Sequence, residues 1–180
     1  YAAGQSFHRI SIDGDTSTND TLLLLANGAS GVKVETPEQI AEFQAALTGV
    51  CVNLAQQLAR DGEGATNLIT IEVTGARDEG EAEQVGRTIA RSPLVKTAFY
   101  GEDANWGRIL CAAGNSGEDV DPQRMSLWFG PVLVCERGKS TRYSEEEATR
   151  TMQSRDVSVR LDLGQGDASA TVWTCDLSHD

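Results

Sequence analysis

The residues best suited to chemistry begin with a polar loop, Asp13-Gly-Asp-Thr-Ser-Thr-Asn-Asp-Thr21, which runs directly into the apolar segment Leu22-Leu-Leu-Leu-Ala26. Its carboxylates and hydroxyls can hold a polar ligand, or they can form a solvated turn before a buried strand. A calcium loop is excluded because the sixth position is not glycine and the twelfth is not glutamate. A phosphate loop is excluded because the Gly-Lys-Ser/Thr ending is absent. We therefore predict a self-braced turn in which Asp15, Thr18 and Asn19 support a neighbouring site.

A second candidate is Glu63, which lies between Gly62 and Gly64, directly after a long helical pattern. Flanking glycines allow unusual backbone angles and the close approach of a ligand. A carboxylate placed there can bind a substrate ammonium through a charge-assisted hydrogen bond. The alternative is an ordinary exposed loop glutamate, and the residues alone leave both interpretations open.

The third candidate is the turn Asn105-Trp-Gly-Arg108. The planar guanidinium of Arg108 can clamp a carboxylate. The alternative is structural: Trp106 packs in the core, and Arg108 ties down Asp103 or a helix end. The cost of leaving a tryptophan exposed favours the structural interpretation.

Neither a metal centre nor a hydrolytic triad is predicted. The four cysteines form no Cys-x-x-Cys pair, and neither histidine has a serine or cysteine partner at a suggestive position. Each cysteine lies in an apolar pattern, so we predict four small buried hydrophobic side chains in a reducing compartment. The two histidines are His8 and His179, and the four cysteines are Cys51, Cys111, Cys135 and Cys175.

The elements that must position the candidates follow from periodicity. Apolar residues at three-and-four spacing, with Thr36 as cap and Pro37 in the first turn, predict a long amphipathic helix ending near Asp61. Shorter helices are predicted over 78–91 and 109–113. Two more are predicted to begin at Ser92, continuing through 94–98, and at Ser144. Strands are predicted at 10–12, 21–26 (buried), 69–73, 125–129, 132–135, 156–163 and 168–175.

Early strands alternate with helices and late strands are predicted to pair as hairpins, so the fold class is α/β or α+β. We divide the chain into a core portion, 1–115, and a smaller α/β lobe with returning strands, 116–180. A length of 180 residues suffices for one good core. The net charge of −12 repels phosphate backbones, so nucleic acid is not an expected partner. No apolar run reaches the length of a membrane span, so no membrane partner is expected either.

Four segments together resemble the ornithine acetyltransferase family of arginine biosynthesis, in the right order along nearly the whole chain. They are the Asp13–Thr21 loop with its apolar continuation, Asp61-Gly-Glu-Gly64, the stretch Lys96–Leu110, and Cys175-Asp-Leu-Ser-His-Asp180. The resemblance implies an αββα sandwich with a smaller α/β lobe, and it makes Glu63 the glutamate that contacts the substrate. One departure is Asn67, where the family usually has lysine, which removes a positive charge near the site.

The resemblance also implies that the catalytic nucleophile lies outside this chain. Family precursors cut themselves before a threonine, which becomes the first residue of the larger (β) chain and attacks the acetyl group, its α-amine acting as base. That threonine is expected upstream of Tyr1, the oxyanion hole in the other (α) chain, and a short closing tail beyond Asp180. The 180 residues alone are then not catalytically competent.

The implied reaction transfers acetyl from N-acetylornithine to glutamate without a metal or organic cofactor, acetyl-CoA being an alternative donor in some members. The implied partners are the α chain of the same precursor and further αβ heterodimers. The implied location is the cytoplasm, or the mitochondrial matrix in a eukaryote. The alternative hypothesis is a non-catalytic acidic α/β module that binds a small amino acid or a partner protein.

Overall fold

The computed structural model describes residues 1–178 as a mixed α/β fold around one seven-stranded sheet with the strand order β1-β7-β2-β6-β3-β4-β5. The predicted α/β class is confirmed. The strands are β1 (Ile10–Ser11), β2 (Leu68–Ala76), β3 (Ser126–Phe129), β4 (Val132–Glu136), β5 (Lys139–Ser140), β6 (Asp156–Asp162) and β7 (Ala168–Cys175). The helices are α1 (Pro37–Arg60), α2 (Glu79–Arg91), α3 (Pro93–Tyr100), α4 (Trp106–Gly114) and α5 (Glu145–Met152).

All five predicted helices are present, because the signals that start a helix are local. The start of α4 was predicted wrongly: the helix begins at Trp106 rather than Ile109, so Trp106 to Arg108 form its first turn. Thr36 begins α1 with the predicted capping box: its hydroxyl accepts from the Gln39 N–H at 3.3 Å, and the Gln39 amide oxygen accepts from the Thr36 N–H at 3.1 Å. Asp78, Ser92 and Ser144 cap α2, α3 and α5 through backbone N–H groups three residues on.

The last two strands depart from the predicted pairing. β6 and β7 both exist, but they lie on either side of β2, parallel and antiparallel to it, and do not pair with each other. The connecting loop wraps the end of β2: the amides of Gln165 and Gly166 donate to Gly75 O at 2.7 and 2.8 Å. A side chain at Gly166 would lie 2.2 Å from Ala76 O, so this crossing requires glycine. The β3–β4 hairpin around Gly130-Pro131 is confirmed.

The core lies mainly on one face of the sheet. Ile69, Ile71 and Val73 of β2 share the main core with α2, which packs on β2, and with α3 and α4, which pack against α2, while the alternate residues of β2 face the opposite side. α5 packs against β3, β4 and β6 through Ala148 and Met152. Both predicted portions of the chain contribute to this sheet: β1 and β2 come from 1–115, and β3 to β7 from 116–180.

α1 reaches the opposite face of the sheet through a stripe of small residues. Cys51, Ala55 and Ala59 are buried, and Ala59 packs with Leu68 and Trp173. The larger apolar residues of α1 lie on a neighbouring stripe and stay substantially exposed: Ile40, Phe43, Val50, Leu54 and Leu58 are 44–58% exposed. The amphipathic helix is therefore formed as predicted, but its large apolar stripe has no cover among the described residues.

Residues 21–26 form no strand here, and Leu22 to Leu25 are 51–89% exposed, because the described part of the chain offers them neither a strand edge nor a covering layer. Pairing of this segment with a strand of the other chain of the family protein stays a prediction. The prediction that all four cysteines are buried is wrong. Cys111 is exposed on α4, unlike the other three cysteines, because its helix buries Ile109, Ala112 and Ala113 instead. No helix within residues 1–178 has the length and apolar character needed to cross a bilayer.

Candidate functional site

Glu63 lies at the tip of a tight turn between α1 and β2. The turn closes when the Ala65 N–H donates to Gly62 O at 3.0 Å, and Gly64 takes a positive φ of 69°. The Glu63 side chain is exposed, so its carboxylate is free to meet a cationic ligand. Gly62 seats the turn against the protein: a Cβ there would lie 2.9 Å from Ile12 and 3.3 Å from the sulfur of Cys175.

Asp176 holds the other end of the same turn. This carboxylate is 1% exposed and directly follows β7. Its Oδ1 accepts from the Thr66 N–H at 2.8 Å and from the Asn67 N–H at 3.0 Å, while Oδ2 accepts from the Thr66 hydroxyl. The Glu63 turn is therefore fixed to the end of β7 across about 110 residues of sequence.

Lys96 approaches the end of β7 from the opposite layer of the fold. It is 4% exposed on α3, and its ammonium donates to the Thr174 hydroxyl at 3.0 Å and to the Cys175 carbonyl. Burial lowers the pKa of Lys96, and the nearby Cys175, Asp176 and Asp13 partly oppose that shift. The hydrogen bonds of the ammonium tie α3 to the last two residues of β7, directly before Asp176.

Sequence reasoning missed Lys96 and Asp176 as members of the site. Both residues belong to segments that carry the family resemblance. The signal that could have identified them is a charged residue where the neighbouring residues predict burial: Lys96 follows Val95 within an apolar helix, and Asp176 follows the buried strand that ends at Cys175. Their convergence on one turn depends on strand pairing, which the pattern does not reveal. The last two residues of that terminal motif, including His179, lie outside the described residues.

The predicted supporting loop is braced by its own side chains. The Asp15 N–H donates to the Asp13 carboxylate at 2.8 Å, and the Asn19 N–H donates to the Ser17 hydroxyl at 3.3 Å. The loop is exposed over 15–21. It begins beside Ile12, which contacts the Glu63 turn at Gly62, yet no hydrogen bond or ion pair in the described structure joins Asp15, Thr18 or Asn19 to Glu63.

Asn105 and Arg108 are engaged within the chain. Asn105 caps α4 by accepting from the Arg108 N–H at 3.2 Å, and its amide donates to Asp103 at 3.0 Å. The Arg108 guanidinium donates to Leu94 O at 2.8 Å on α3. Trp106 is partly buried and packs against the main core. These contacts fit the interpretation in which Trp106 packs in the core and Arg108 holds a helix end, so Asn105 to Arg108 join α3 to α4.

Two surface clefts lie away from the Glu63 turn. Two open clefts of about 600 and 800 Å³ are lined by residues of 122–151, around the β4–β5 hairpin and α5, and contain none of the predicted site residues. Among residues 1–178, no group of three or more histidine, cysteine or acidic side chains is arranged to hold a metal ion. The arrangement that remains is an exposed carboxylate on a firmly anchored turn, which suits binding of an organic cation.

Comparison with known proteins gives one consistent result. The model of the ArgJ family matches residues 1–180. The "Arginine biosynthesis bifunctional protein ArgJ" of Ruegeria pomeroyi is 52% identical over 176 residues, which cover 97% of this chain and 42% of that protein. The protein of the same name from Desulfotalea psychrophila is 48% identical over 182 residues, covering 99% and 46%.

The fold also has a close match among solved structures. The crystal structure of arginine biosynthesis bifunctional protein argJ from Bacillus halodurans superposes with a TM-score of 0.96 at 44% sequence identity. That match covers 99% of this chain and 85% of the crystallised chain. This chain thus spans less than half the length of these curated relatives but most of the length of the crystallised chain.

Proposed function

This chain belongs to the ArgJ family, and on that basis we propose that it is the β-chain part of an arginine-biosynthesis enzyme, a glutamate N-acetyltransferase. The proposed reaction moves the acetyl group of N-acetylornithine to glutamate. The observation that carries the proposal is the family match over all 180 residues. We place the enzyme in the cytoplasm, or in the mitochondrial matrix of a eukaryote.

The proposed nucleophile is a threonine upstream of Tyr1 in the full-length protein. Its hydroxyl oxygen attacks the acetyl carbonyl of N-acetylornithine and passes its proton to the threonine's own α-amine; the amide C–N bond then breaks, and ornithine leaves with that proton. The amine of glutamate next attacks the acetyl ester, releasing N-acetylglutamate and restoring the hydroxyl. Two half-reactions at one site give ping-pong kinetics. No cofactor takes part, and acetyl-CoA is an alternative donor for the first half-reaction.

We propose that the full-length protein is a precursor that cuts itself, and the unequal coverage of the relatives supports this. Curated relatives are more than twice as long as the matched region, whereas the crystallised chain is only slightly longer than it. A precursor cut into an α and a β chain, which then pair as αβ heterodimers and assemble further, would produce this difference. The oxyanion hole is assigned to the α chain.

Glu63 is the proposed contact for the substrate's positive charge. N-acetylornithine keeps a free side-chain ammonium after its α-amine is acetylated, and a carboxylate is the matching partner. Exposure of Glu63 and the rigidity of its turn support this role, since a carboxylate held in place loses little freedom on binding.

The rest of the family protein is the proposed cover for the exposed apolar surface. Leu22 to Leu25 and the large stripe of α1 are more exposed than such residues usually are in a folded protein. Residues 21–26 have strand-like composition, so we propose that they pair with a strand of the α chain while the α1 stripe packs against the same chain.

In the complete protein, the double substitution Leu54→Gln/Leu58→Gln is expected to destabilise the assembly, although both side chains are exposed here at 44% and 53%. Covering such half-exposed leucines contributes about 1 kcal/mol each, so thermal unfolding should begin several degrees lower. The matched control is Ala45→Gln, on the polar face of the same helix. Equal melting temperatures for the double variant and the control would show that this stripe stays in solvent.

The proposed function is tested on protein expressed from the full-length gene. Denaturing intact mass should show two chains, the larger beginning with threonine upstream of Tyr1, and the purified protein should transfer acetyl from N-acetylornithine to glutamate. A single uncut chain without transfer activity contradicts the proposal. Ornithine binding by such a protein would then identify the non-catalytic module.

A further inference from the structure

Two buried charged residues that the proposed reaction does not use meet at the end of β7. Asp176 and Lys96 are 1% and 4% exposed, although buried charges are costly to keep. The Lys96 ammonium donates to the Cys175 carbonyl, and Asp176 is the residue that follows Cys175. A backbone hydrogen bond also joins α3 to the segment after β7, since the Leu177 N–H donates to Lys96 O at 3.4 Å.

Of these two residues, Asp176 contacts the turn that carries Glu63. Three donors of the turn's outgoing end converge on Asp176: the backbone N–H groups of Thr66 and Asn67 and the hydroxyl of Thr66. At the incoming end Gly62 lies against Ile12 and Cys175, where a methyl group would collide. Glu63 thus projects from a segment held at both ends to the same strand terminus.

We propose that Asp176 and Lys96 are positioning residues for Glu63, which set the affinity for the substrate ammonium without touching the substrate. The inference rests on the proposed role of Glu63. Lys96 holds the Cys175 carbonyl and thereby the residue that follows it, and Asp176 transmits that position to the turn through Thr66. A displacement of the order of 1 Å at a charged contact is enough to weaken binding strongly.

The experiment is a double-mutant cycle in the complete enzyme. Asp176→Asn removes the charge and leaves one good acceptor for the three donors, so KM for N-acetylornithine is expected to rise about five- to tenfold with kcat changed less than about twofold. In the Glu63→Ala background the same substitution is expected to change KM less than about twofold, because the group being positioned is gone. Lys96→Met should follow the same pattern.

Two further variants separate positioning from loss of stability. Thr66→Val removes the hydroxyl but keeps the backbone donor, and it should give a smaller rise in KM that again disappears without Glu63. Asp162→Asn is the matched control: Asp162 also secures a turn, accepting from the Gly164 N–H at 2.9 Å, but it lies at the opposite end of the sheet strands. It should lower the melting temperature without changing KM.

The cycle distinguishes failure of this inference from failure of its premise. If Glu63→Ala leaves KM unchanged, both the role of Glu63 and the positioning proposal are wrong. If Glu63→Ala raises KM but Asp176→Asn leaves KM unchanged, or multiplies it equally in both backgrounds, Glu63 binds substrate and the positioning proposal alone is overturned. Should Asp176→Asn fail to fold, the coupling of Thr66→Val to Glu63→Ala decides in the same way.

Discussion

Glu63→Ala in the complete enzyme is expected to raise KM for N-acetylornithine about 10- to 100-fold, which corresponds to the loss of one hydrogen bond to a charged group. The side chain is exposed at the tip of a turn. Within residues 1–178 it makes no hydrogen bond or ion pair that the substitution would break. The folded protein should therefore keep its melting temperature. Steady-state kinetics with varied N-acetylornithine, together with thermal unfolding, measure both quantities.

The control for this prediction is Glu145→Ala, which removes another exposed carboxylate, from the first turn of α5. It changes the net charge by the same amount, so a general electrostatic attraction of the cationic substrate would affect both variants alike. An unchanged KM in Glu63→Ala, or an equal rise in the two variants, would remove Glu63 from the binding site. A large fall in melting temperature would instead reveal a structural role.

The largest expected effect on stability is that of Phe129→Ala, at about 3–5 kcal/mol. Phe129 is 0% exposed on β3, paired with Val132 of β4 and Val159 of β6, and belongs to the main core. Removing its ring leaves a cavity that the flanking strands cannot close, because their positions are fixed by the sheet. Denaturant unfolding of the complete protein measures the loss.

Trp128→Ala provides the matched comparison on the adjacent residue of the same strand. Trp128 points to the opposite, partly exposed face, where the Arg160 guanidinium lies 4.1 Å from its ring centre. Loss of that partly exposed contact should cost only about 1 kcal/mol. If Trp128→Ala proved as destabilising as Phe129→Ala, the open face of this sheet would have to be buried in the assembled protein.

Only part of the candidate site could be predicted from local sequence patterns. Glu63 became a candidate through its two glycines and the end of a periodic helix, which are local signals, and the family resemblance then favoured a binding role over an exposed loop glutamate. Asp176 and Lys96 were not found, since a charged residue beside a strand or within a helix looks the same whether it is solvated or buried. Their role depends on contacts such as the one between Asp176 and Thr66, which are 110 residues apart in sequence.

Burial was predicted less well than secondary structure, for a related reason. The run Leu22 to Leu25 has the composition of a buried strand, but a strand forms only against another strand, and none of the described residues supplies one. Helix α1 formed as its cap and apolar spacing predict. It packs on the sheet through the small residues Cys51, Ala55 and Ala59 rather than through its large apolar side chains. Which stripe is covered depends on the neighbouring surface.

The sequence by itself therefore determined the α/β class, the presence of all five helices, the starts of three of them at Thr36, Ser92 and Ser144, most of the strands, and membership of the family. These features depend on backbone propensity, capping and periodicity, which act within a few residues. The tertiary structure decided that β6 and β7 flank β2, and that the Glu63 turn is secured by a buried aspartate and lysine. Those outcomes arise from strand pairing and desolvation between distant segments, which no local pattern specifies.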